Sequence, residues 1–509
     1  MSGALLHERF LASAARAPER VAVLEGDEEA SYGELAERVA SLASGLVEEL
    51  DPEARLGILL PKGVDAIAFM LAALAAGRAF VPIDGSAPRE RQASIARLAE
   101  IEALVAPRAD HADWRERPDL PRLQRLLAPD WRLGAEAVAP LPAADPDRTA
   151  YVLCTSGSTG VPKGVAITHG NAAHFVDWAV KRFGLGAEDR IAVHAPLHFD
   201  LPVLDVYGGL AAGATVCPID ERTVLFPSGV KRFLLERRIS VMYAVPSAWV
   251  ALATRGGLER GTLPLRLVLY AGEEFHVGSL RRLRALVPDA RIFNLYGPVE
   301  TNVVTAHEVT SADLDSLHVP IGLPVPGAEV HLRGEDGALV REPEETGEVC
   351  IAGPTLSPGY LGDDGLEAPR VDLDTPQGRL SCYPTGDYAR WNQEGELVFV
   401  GRRDGLVKVR GFRVEVGDVE AALLRHGAVS ESAVYPVEQE DHTQALHAVV
   451  VPRAEPPLDL DDLFAWCRSV LPAYMVPAQI RVAPRLEYTS TGKIDRRALR
   501  ERLEAAVPS

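Results

Sequence analysis

Short, almost uninterrupted apolar segments alternate with longer Ala- and Leu-rich segments through most of the first 317 residues. Segments such as 56–60 and 267–271 have the length of strands, whereas 31–50 and 65–77 have the length and composition of helices. Strands without a polar face must be covered on both sides, which favours parallel strands joined by helical crossovers. The alternation therefore predicts an α/β fold with parallel sheets.

The sequence pattern changes twice in the last third of the chain. From about residue 318, segments such as 347–353 and 406–415 alternate apolar and polar residues between glycines, which predicts a β-rich region. After residue 404 the order helix, strand, strand, helix predicts a compact α+β domain. We therefore expect a large N-terminal domain over 1–403, with parallel α/β sheets and a β-rich subdomain, and a small α+β C-terminal domain over 404–509.

Charge and cysteine content narrow the function classes. The net charge is −19, from 53 Lys and Arg against 72 Asp and Glu, so nucleic acid and anionic membranes are disfavoured as partners. The five cysteines include no C-x-x-C pair, which predicts free thiols in a reducing cytosol. Because no apolar run is long enough to span a bilayer, we expect a cytoplasmic protein without a membrane segment.

The stretch "TSGSTGVPKGV" at 155–165 joins two apolar segments and combines glycines, hydroxyl side chains and a lysine. Glycines allow the backbone to approach a ligand closely, while hydroxyls and a lysine add donors and charge. This composition suits a polyphosphate, although the spacing matches neither the Walker pattern nor G-x-G-x-x-G. A surface hairpin rich in turn residues is the alternative interpretation.

The stretch resembles the phosphate loop of the adenylate-forming superfamily, which includes acyl-CoA synthetases, luciferases and the amino-acid adenylation domains of nonribosomal peptide synthesis. The resemblance extends over most of the chain, because further motifs follow in the family's order. They are "NLYGPVETN", "PIGLP", "GEVCIAGPTLSPGY", "YPTGDYARW", "GRRDGLVKVRGFRVE", "LPAYMVP" and "STGKIDRRAL". Leu406 departs from the pattern, since many relatives carry Gln there.

This resemblance implies that the chain binds ATP with Mg²⁺ and joins a carboxylate to AMP. It implies that Tyr296 stacks on adenine, that Asp387 accepts hydrogen bonds from the ribose hydroxyls and that Glu300 binds the metal. Core packing of Tyr296 and a simple turn at Asp387 are the alternatives. The implied ATP-binding residues are Thr155, Ser156, Gly157, Ser158, Thr159, Gly160, Lys163, Asn294, Tyr296, Gly297, Thr301, Asp387, Arg402 and Lys493.

Two implied roles fall near the C-terminus. Lys493 corresponds to the residue that bridges the carboxylate and the α-phosphate, where negative charge builds up; a solvated surface lysine is the alternative. Asp404 corresponds to the hinge of the superfamily, which makes the C-terminal domain mobile; the sequence alone predicts a turn there. The implied catalytic residues are Thr155, Lys163, Glu300 and Lys493.

Asp200, in "HAPLHFDLPVLDVYGG", is the candidate recognition residue for the substrate. A carboxylate beside apolar residues needs a charged partner, and the α-ammonium group of an amino acid would provide one. The alternative is a helix cap. The family resemblance favours recognition, because amino-acid adenylation domains carry an Asp at this place and fatty-acyl ligases generally do not.

The remaining pocket positions can be carried over from the resemblance and are mainly aliphatic. They are Leu201, Leu204, Tyr243, Leu269, Ala271, Gly272, Leu295, Val303 and Val304. A lining without a charge for the side chain predicts a small apolar amino acid. It resembles the lining of free-standing prolyl-AMP ligases, so L-proline is the first expectation, with alanine or valine as alternatives.

The resemblance also implies a thiol acceptor for the activated amino acid. Because the sequence contains no carrier domain, we expect the phosphopantetheine thiol of a separate carrier protein. A carboxylic acid–CoA ligase is an alternative, disfavoured by Asp200. A non-catalytic nucleotide-binding module is a second alternative, disfavoured because Lys163, Glu300, Asp387, Arg402 and Lys493 are all retained.

Overall fold

The computed structural model describes residues 5–132, 141–143, 145–155, 162–259, 261–362, 365–402, 406–453, 455 and 457–486. The helices are α1 Leu6–Arg16, α2 Tyr32–Glu49, α3 Val64–Ala75, α4 Arg89–Leu98, α5 His111–Arg115, α6 His169–Phe183, α7 Gly209–Ala212, α8 Glu221–Val224, α9 Pro227–Glu236, α10 Pro246–Arg255, α11 Val277–Leu286, α12 Val416–Leu424 and α13 Leu460–Val470.

The strands of the first 324 residues are β1 Val21–Glu25, β2 Glu28–Ser31, β3 Arg55–Ile58, β4 Ala79–Pro82, β5 Ile101–Val105, β6 Arg125–Leu127, β7 Thr149–Thr155, β8 Lys163–Thr168, β9 Arg190–Val193, β10 Thr215–Pro218, β11 Val241–Ala244, β12 Leu267–Ala271, β13 Arg291–Tyr296, β14 Thr305–Glu308 and β15 Leu323–Pro324. Those that follow are β16 Glu329–Arg333, β17 Leu339–Val340, β18 Thr346–Ala352, β19 Gly359–Gly362, β20 Gly365–Glu367, β21 Val371–Thr375, β22 Gly378–Trp391, β23 Leu397–Arg402, β24 Leu406–Val409, β25 Phe412–Glu415, β26 Val429–Glu438, β27 Gln444–Pro452 and β28 Gln479–Val482.

Two large sheets dominate the N-terminal region. One has the order β15-β14-β13-β12-β11-β9-β10-β1-β2, and its strands from β13 to β1 pair in parallel. The other has the order β20-β19-β8-β7-β4-β3-β5-β6, with parallel pairing from β7 to β6. Both confirm the predicted parallel α/β architecture.

Helix α3 is buried along nearly its whole length, from Ala66 to Ala75. It contacts α2, β1, β3 and β4, so it lies between the two large sheets. An all-apolar helix is stable only in such a place, because it has no polar face for water. At the start of α2, the Ser31 hydroxyl accepts from the Glu34 amide and the Glu34 carboxylate accepts from the Ser31 amide, a capping box.

The β-rich region and the α+β region follow in the predicted order. A sheet with the order β17-β16-β18-β22-β21, to which β23 adds on β22, forms the first. The second contains a β24–β25 hairpin and a sheet of β26, β27 and β28. The parallel strand β28 was not predicted, because its segment Gln479–Val482 is short and half polar.

The chain divides into two compact units. The first unit contains most of the chain up to Gly401. The second unit contains the chain from Arg402 onwards, together with the two earlier segments Ser86–Ile95 and Thr155–Lys163. The expected boundary at 403/404 falls outside the described residues. All five cysteines are free, as predicted. None of the helices in the described part of the chain combines the length and the apolarity needed to span a bilayer.

Candidate active site

Several predicted site residues lie at or beyond the carboxyl ends of adjacent parallel strands. Strands β9, β11, β12 and β13 are neighbours in the larger sheet, so their carboxyl ends share one edge. The segments that leave β9 and β13 carry Asp200 and Glu300. Crevices at this edge of an open α/β sheet are the usual place for ligands.

Tyr296 and Asp387 are in direct contact. The Tyr296 hydroxyl donates to Oδ2 of Asp387 over 2.8 Å, and both side chains are buried. The Asp387 amide donates to the Thr385 hydroxyl, and that hydroxyl donates to the carbonyl of Val349. The carboxylate expected to accept from ribose is therefore fixed by a tyrosine and by its own strand.

The segment after β13 returns tightly onto the strand. The Val304 amide donates to the carbonyl of Tyr296, and a Cβ at Gly297 would lie 1.6 Å from the carbonyl oxygen of Asn302. Only glycine fits such a close backbone approach. The Thr301 hydroxyl bonds to the carbonyls of Pro298 and Asn302.

Asn294 lies within β13, where it is buried and donates to the carbonyl of Pro320. This hydrogen bond from the Asn294 side chain holds the segment that precedes β15, which is a structural role.

Glu300 is buried and held by a tyrosine pair. The Tyr360 hydroxyl donates to its Oε1 over 2.6 Å, and the hydroxyls of Tyr360 and Tyr383 lie 3.1 Å apart. The Glu300 carbonyl accepts from the Ser357 amide. Tyr360 and Tyr383 were not predicted as site residues, although Tyr360 is the last residue of one recognised motif and Tyr383 the first residue of another.

The phosphate-loop residues are described only at its two ends. Thr155 closes β7 and is half-buried, and Lys163 opens β8 with its Nζ 3.8 Å from Oε1 of Glu415. Arg402 closes β23 and is half-buried. Ser156, Gly157, Ser158, Thr159 and Gly160 lie outside the described residues, as do Asp404 and Lys493.

The predicted pocket residues on strands share one face of the sheet. Tyr243 of β11 is in register with Leu269 of β12, and Ala271 is in register with Leu295 of β13. Residues two apart on a strand point the same way, so these four side chains form one surface. Gly272 follows directly with φ 94°, a left-handed conformation that glycine adopts without strain.

Leu201, Leu204 and Val303 join the same buried cluster as these strand residues. Val304 packs in a different cluster, with Tyr296 and Val330. Leu204 lies on a π-helical turn, Val203–Gly208. Such turns are rare and are found frequently at functional sites. The structure thus brings together the predicted aliphatic lining except Val304.

Asp200 is half-buried and faces two tyrosines of this cluster. Burial, and secondly the Asp200 carboxylate, raises the pKa of Tyr151 and of Tyr243, so both hydroxyls stay protonated. The Asp200 carbonyl accepts from the Val203 amide at the start of the π-helical turn. Tyr151 was not predicted as a site residue, although it lies in β7, four residues before the phosphate-loop motif begins at Thr155.

No group of three or more His, Cys, Asp or Glu side chains arranged to hold a metal occurs in the described ranges.

Comparison with protein families gives two matches. A family model described as AMP-binding enzyme matches residues 10–361, and one described as AMP-binding enzyme C-terminal domain matches residues 418–493. Together they span most of the chain.

Among curated relatives, an L-proline--[L-prolyl-carrier protein] ligase of Pseudomonas fluorescens is 39% identical, covering 98% of this chain and 99% of the relative. A ligase of the same description from Streptomyces coelicolor is 35% identical, covering 93% of this chain and 92% of the relative.

Among solved structures, holo-PA1221, a nonribosomal peptide synthetase protein containing adenylation and PCP domains, superposes with a TM-score of 0.84 at 26% identity, covering 98% of this chain and 84% of that one. The amide bond synthetase McbA of Marinactinospora thermotolerans gives 0.84 at 26% identity, covering 98% of this chain and 99% of that one.

Proposed function

The chain belongs to the AMP-binding enzyme family, and we propose that it activates L-proline with ATP and transfers the prolyl group to the phosphopantetheine thiol of a separate carrier protein. The observation that carries this proposal is the aliphatic cluster of Leu201, Leu204, Leu269 and Leu295 next to the half-buried Asp200. The two relatives that match almost end to end are described as ligases for this amino acid and a carrier protein.

Two half-reactions account for this activity. In the first, a carboxylate oxygen of proline bonds to the α-phosphorus of ATP, the bond from that phosphorus to the bridging oxygen breaks, and pyrophosphate leaves. In the second, the thiolate sulfur of the carrier bonds to the prolyl carbonyl carbon, and AMP leaves. ATP is thus a co-substrate, and AMP and pyrophosphate are products.

Recognition of the nucleotide falls to Asp387 and Tyr296. Asp387 accepts hydrogen bonds from the ribose hydroxyls, since a carboxylate is an acceptor at both oxygens. Tyr296 presents its ring to adenine while its hydroxyl holds Asp387. Arg402 binds ribose or phosphate, and the loop from Thr155 to Lys163 binds the phosphates.

The donor chemistry at Glu300 fits magnesium. A buried carboxylate is the hard oxygen ligand that Mg²⁺ prefers, and Tyr360 keeps one of its oxygens oriented. When bound, the ion neutralises charge on the phosphate oxygens. Glu300 would hold it, and Tyr360 and Tyr383 would hold Glu300.

Charge stabilisation of the first half-reaction falls to Lys163 and Lys493, with the Thr155 hydroxyl as an additional donor. Two anions approach each other when a carboxylate attacks a phosphate, so fixed cations lower the barrier. We propose that Lys493 lies on a mobile domain, 404–509, which moves relative to 1–403 about Asp404, so that the site serves both half-reactions.

Selectivity for proline follows from the pocket. Asp200 binds the ammonium group of the amino acid, and proline as a secondary amine still offers two N–H donors. A compact, rigid ring fits an aliphatic lining and loses little conformational entropy on binding. Alanine and valine are the expected weaker substrates, because an apolar pocket discriminates one methylene by only about 1–3 kcal/mol.

We place the enzyme in the cytoplasm, because the reaction consumes ATP and the five cysteines are free thiols.

The decisive experiment measures exchange of labelled pyrophosphate into ATP with each of the twenty amino acids. We expect the highest kcat/KM with L-proline. A second assay offers prolyl-AMP formed in situ to a phosphopantetheinylated carrier or to free coenzyme A, and we expect transfer to the carrier. Transfer to coenzyme A alone would instead identify a CoA ligase, and no exchange with any amino acid would disprove the proposal.

A further inference from the structure

A nearly buried lysine caps the end of strand β9. The Lys62 side chain is 8% exposed, and its Nζ donates to the carbonyl oxygens of Val193, over 3.3 Å, and His194, over 2.7 Å. The chain leaves β9 at this point and continues towards Asp200. Lys62 therefore fixes the start of the segment that carries the amino-acid-binding carboxylate.

A buried carboxylate lies at the other end of the same segment. Asp205 is fully buried on the π-helical turn Val203–Gly208, and neither of its carboxylate oxygens has a hydrogen-bond partner among the described residues. Asp205 lies next to Leu204 in the chain. After burial and Asp200, its carboxylate is the third cause that raises the pKa of the proposed pocket residue Tyr243.

Lys62 and Asp205 lie within electrostatic range of each other, although no hydrogen bond and no close ion pair joins them. Burial raises the pKa of Asp205, and the Lys62 ammonium is the cation that opposes this rise. Burial lowers the pKa of Lys62 to about 8, against the charges of Glu221, Asp205 and Asp220. A buried ammonium without opposite charges nearby is strongly destabilised, so the charge of Lys62 depends on Glu221, Asp205 and Asp220 together.

Stability alone does not explain why two such groups are buried here. Replacing buried charged groups with apolar residues is often neutral or stabilising, whereas their directional contacts specify one geometry. Here the specified geometry is that of segment 194–202, which begins at the two hydrogen bonds from Lys62 and is followed closely by the buried Asp205. Asp200 and Leu201 both lie within it.

We propose that Lys62 and Asp205 are positioning residues that set the place of Asp200 relative to the amino-acid substrate. This inference rests on the proposed activation of an amino acid. Loss of either charge releases the segment, so recognition of the substrate ammonium weakens. The nucleotide contacts of Asp387 and Tyr296 lie on β22 and β13, outside this segment, and are left in place.

The arrangement also predicts a dependence on pH. Deprotonation of Lys62 removes its charge while Asp205 stays buried, so amino-acid binding weakens as the pH rises through about 8. The other titratable groups around Lys62 are Asp220 and Glu221, with His194 and His198, whose pKa values burial and the Lys62 charge keep low. His198 in turn faces Asp84 at 4.0 Å.

The test measures KM for proline and KM for ATP separately by ATP–pyrophosphate exchange in Lys62→Met and Asp205→Asn. We expect KM for proline to rise about tenfold or more and KM for ATP to change less than about twofold. Lys181→Met, on the exposed surface of α6, is the matched control and should leave both constants unchanged.

The pH profile separates positioning from a merely structural role. In the wild type, KM for proline should rise above pH 8 beyond the rise caused by deprotonation of proline itself, and this additional rise should be absent from Lys62→Met. Lys62→Arg, which keeps its charge at high pH, should bind proline better than Lys62→Met and lack the additional rise.

If either single variant does not fold, the double variant Lys62→Met/Asp205→Leu removes both charges and leaves none unpaired. We expect it to fold and still to show the raised KM for proline. Wild-type KM for proline in the double variant, or equal changes in both KM values, would overturn the inference. Absence of any amino-acid-dependent exchange in the wild type would instead overturn the proposed function, and the inference with it.

Discussion

The Tyr296 hydroxyl donates a hydrogen bond of 2.8 Å to the Asp387 carboxylate, which joins the end of β13 in the larger sheet to β22 in the β-rich region. A charge-assisted hydrogen bond of this kind, between buried groups, is among the stronger ones in proteins. It makes the position of the Asp387 carboxylate, which we propose binds ribose, depend on the strand that also carries the proposed pocket residue Leu295.

The first prediction concerns the loss of this hydrogen bond. Tyr296→Phe keeps the ring for adenine and deletes the hydroxyl, so KM for ATP should rise about tenfold, in line with about 1.5–3 kcal/mol for a hydrogen bond to a charged group. KM for proline should stay unchanged in the exchange assay. Tyr270→Phe is the control, because the buried Tyr270 hydroxyl has no hydrogen-bond partner among the described residues. An unaltered KM for ATP would show that the bond does not orient Asp387.

The second prediction concerns Glu300. Tyr360→Phe deletes the donor that lies 2.6 Å from Oε1, so a higher Mg²⁺ concentration should be needed for half-maximal exchange. Binding of Mn²⁺ in the presence of a non-hydrolysable ATP analogue, followed by electron paramagnetic resonance, should weaken in parallel. Tyr270→Phe again serves as the control. A reduced rate with unchanged metal affinity would place Tyr360 outside the support of the metal ligand.

The third prediction concerns stability at low pH. Burial lowers the pKa of both His7 and His169 to about 4, and their rings lie edge to face at 5.9 Å. The unfolded chain binds these protons near pH 6.5 and the folded chain does not, so stability is highest above pH 6.5 and falls as the pH drops towards 4. Each imidazole contributes on the order of 2–3 kcal/mol to this loss.

Thermal unfolding between pH 7 and 4 measures this effect. His7→Leu/His169→Leu should flatten the dependence of Tm on pH, whereas His318→Gln at an exposed position should not. A wild-type slope retained in the double variant would assign the acid sensitivity to other groups.

Sequence patterns predicted the architecture because its determinants are local. An apolar segment of strand length and the capping box at Ser31 and Glu34 each depend on only a few consecutive residues, so the sequence shows them directly. Adjacent residues can also pack on different sides of one segment. Val303 and Val304 directly precede β14, and only Val303 joins the cluster of the other predicted pocket residues.

What the sequence did not predict depends on contacts between distant segments. In the sequence Lys62 is a single lysine between a strand and a helix. Its role could not be predicted, because its hydrogen-bond partners lie 131 and 132 residues further along the chain. Tyr360 meets Glu300 from 60 residues away. The π-helical turn at Val203–Gly208 could not be predicted either, because an apolar run does not determine to which carbonyl each backbone amide donates its hydrogen bond.

The fourth prediction tests recognition of the ammonium group. Asp200→Asn keeps the size of the side chain and its ability to cap a helix, since Asn and Asp cap about equally. It removes the charge, so kcat/KM for proline should fall by at least about thirtyfold, the lower end of about 2–5 kcal/mol for a lost charge partner. KM for ATP should stay unchanged. Wild-type kinetics in this variant would identify Asp200 as a cap only.

The last prediction tests selectivity. Leu204 is fully buried on the π-helical turn and belongs to the same hydrophobic cluster as the proposed pocket residues Leu201 and Leu295. Leu204→Ala opens space beside the substrate, so kcat/KM for proline should fall while that for larger apolar amino acids such as leucine rises. The full panel of twenty amino acids in the exchange assay measures both changes.

Leu210→Ala is the matched control for this variant. Leu210 is equally buried in the same cluster but lies on α7, beyond the pocket turn. Both variants should lose about 2–5 kcal/mol of stability, as is usual for such a truncation, so the assay must run well below either Tm. Only Leu204→Ala should change the order of substrates, because only there does the lost volume lie next to the substrate. If Leu210→Ala broadens the profile equally, selectivity depends on the rigidity of the whole cluster and not on the shape of the pocket at Leu204.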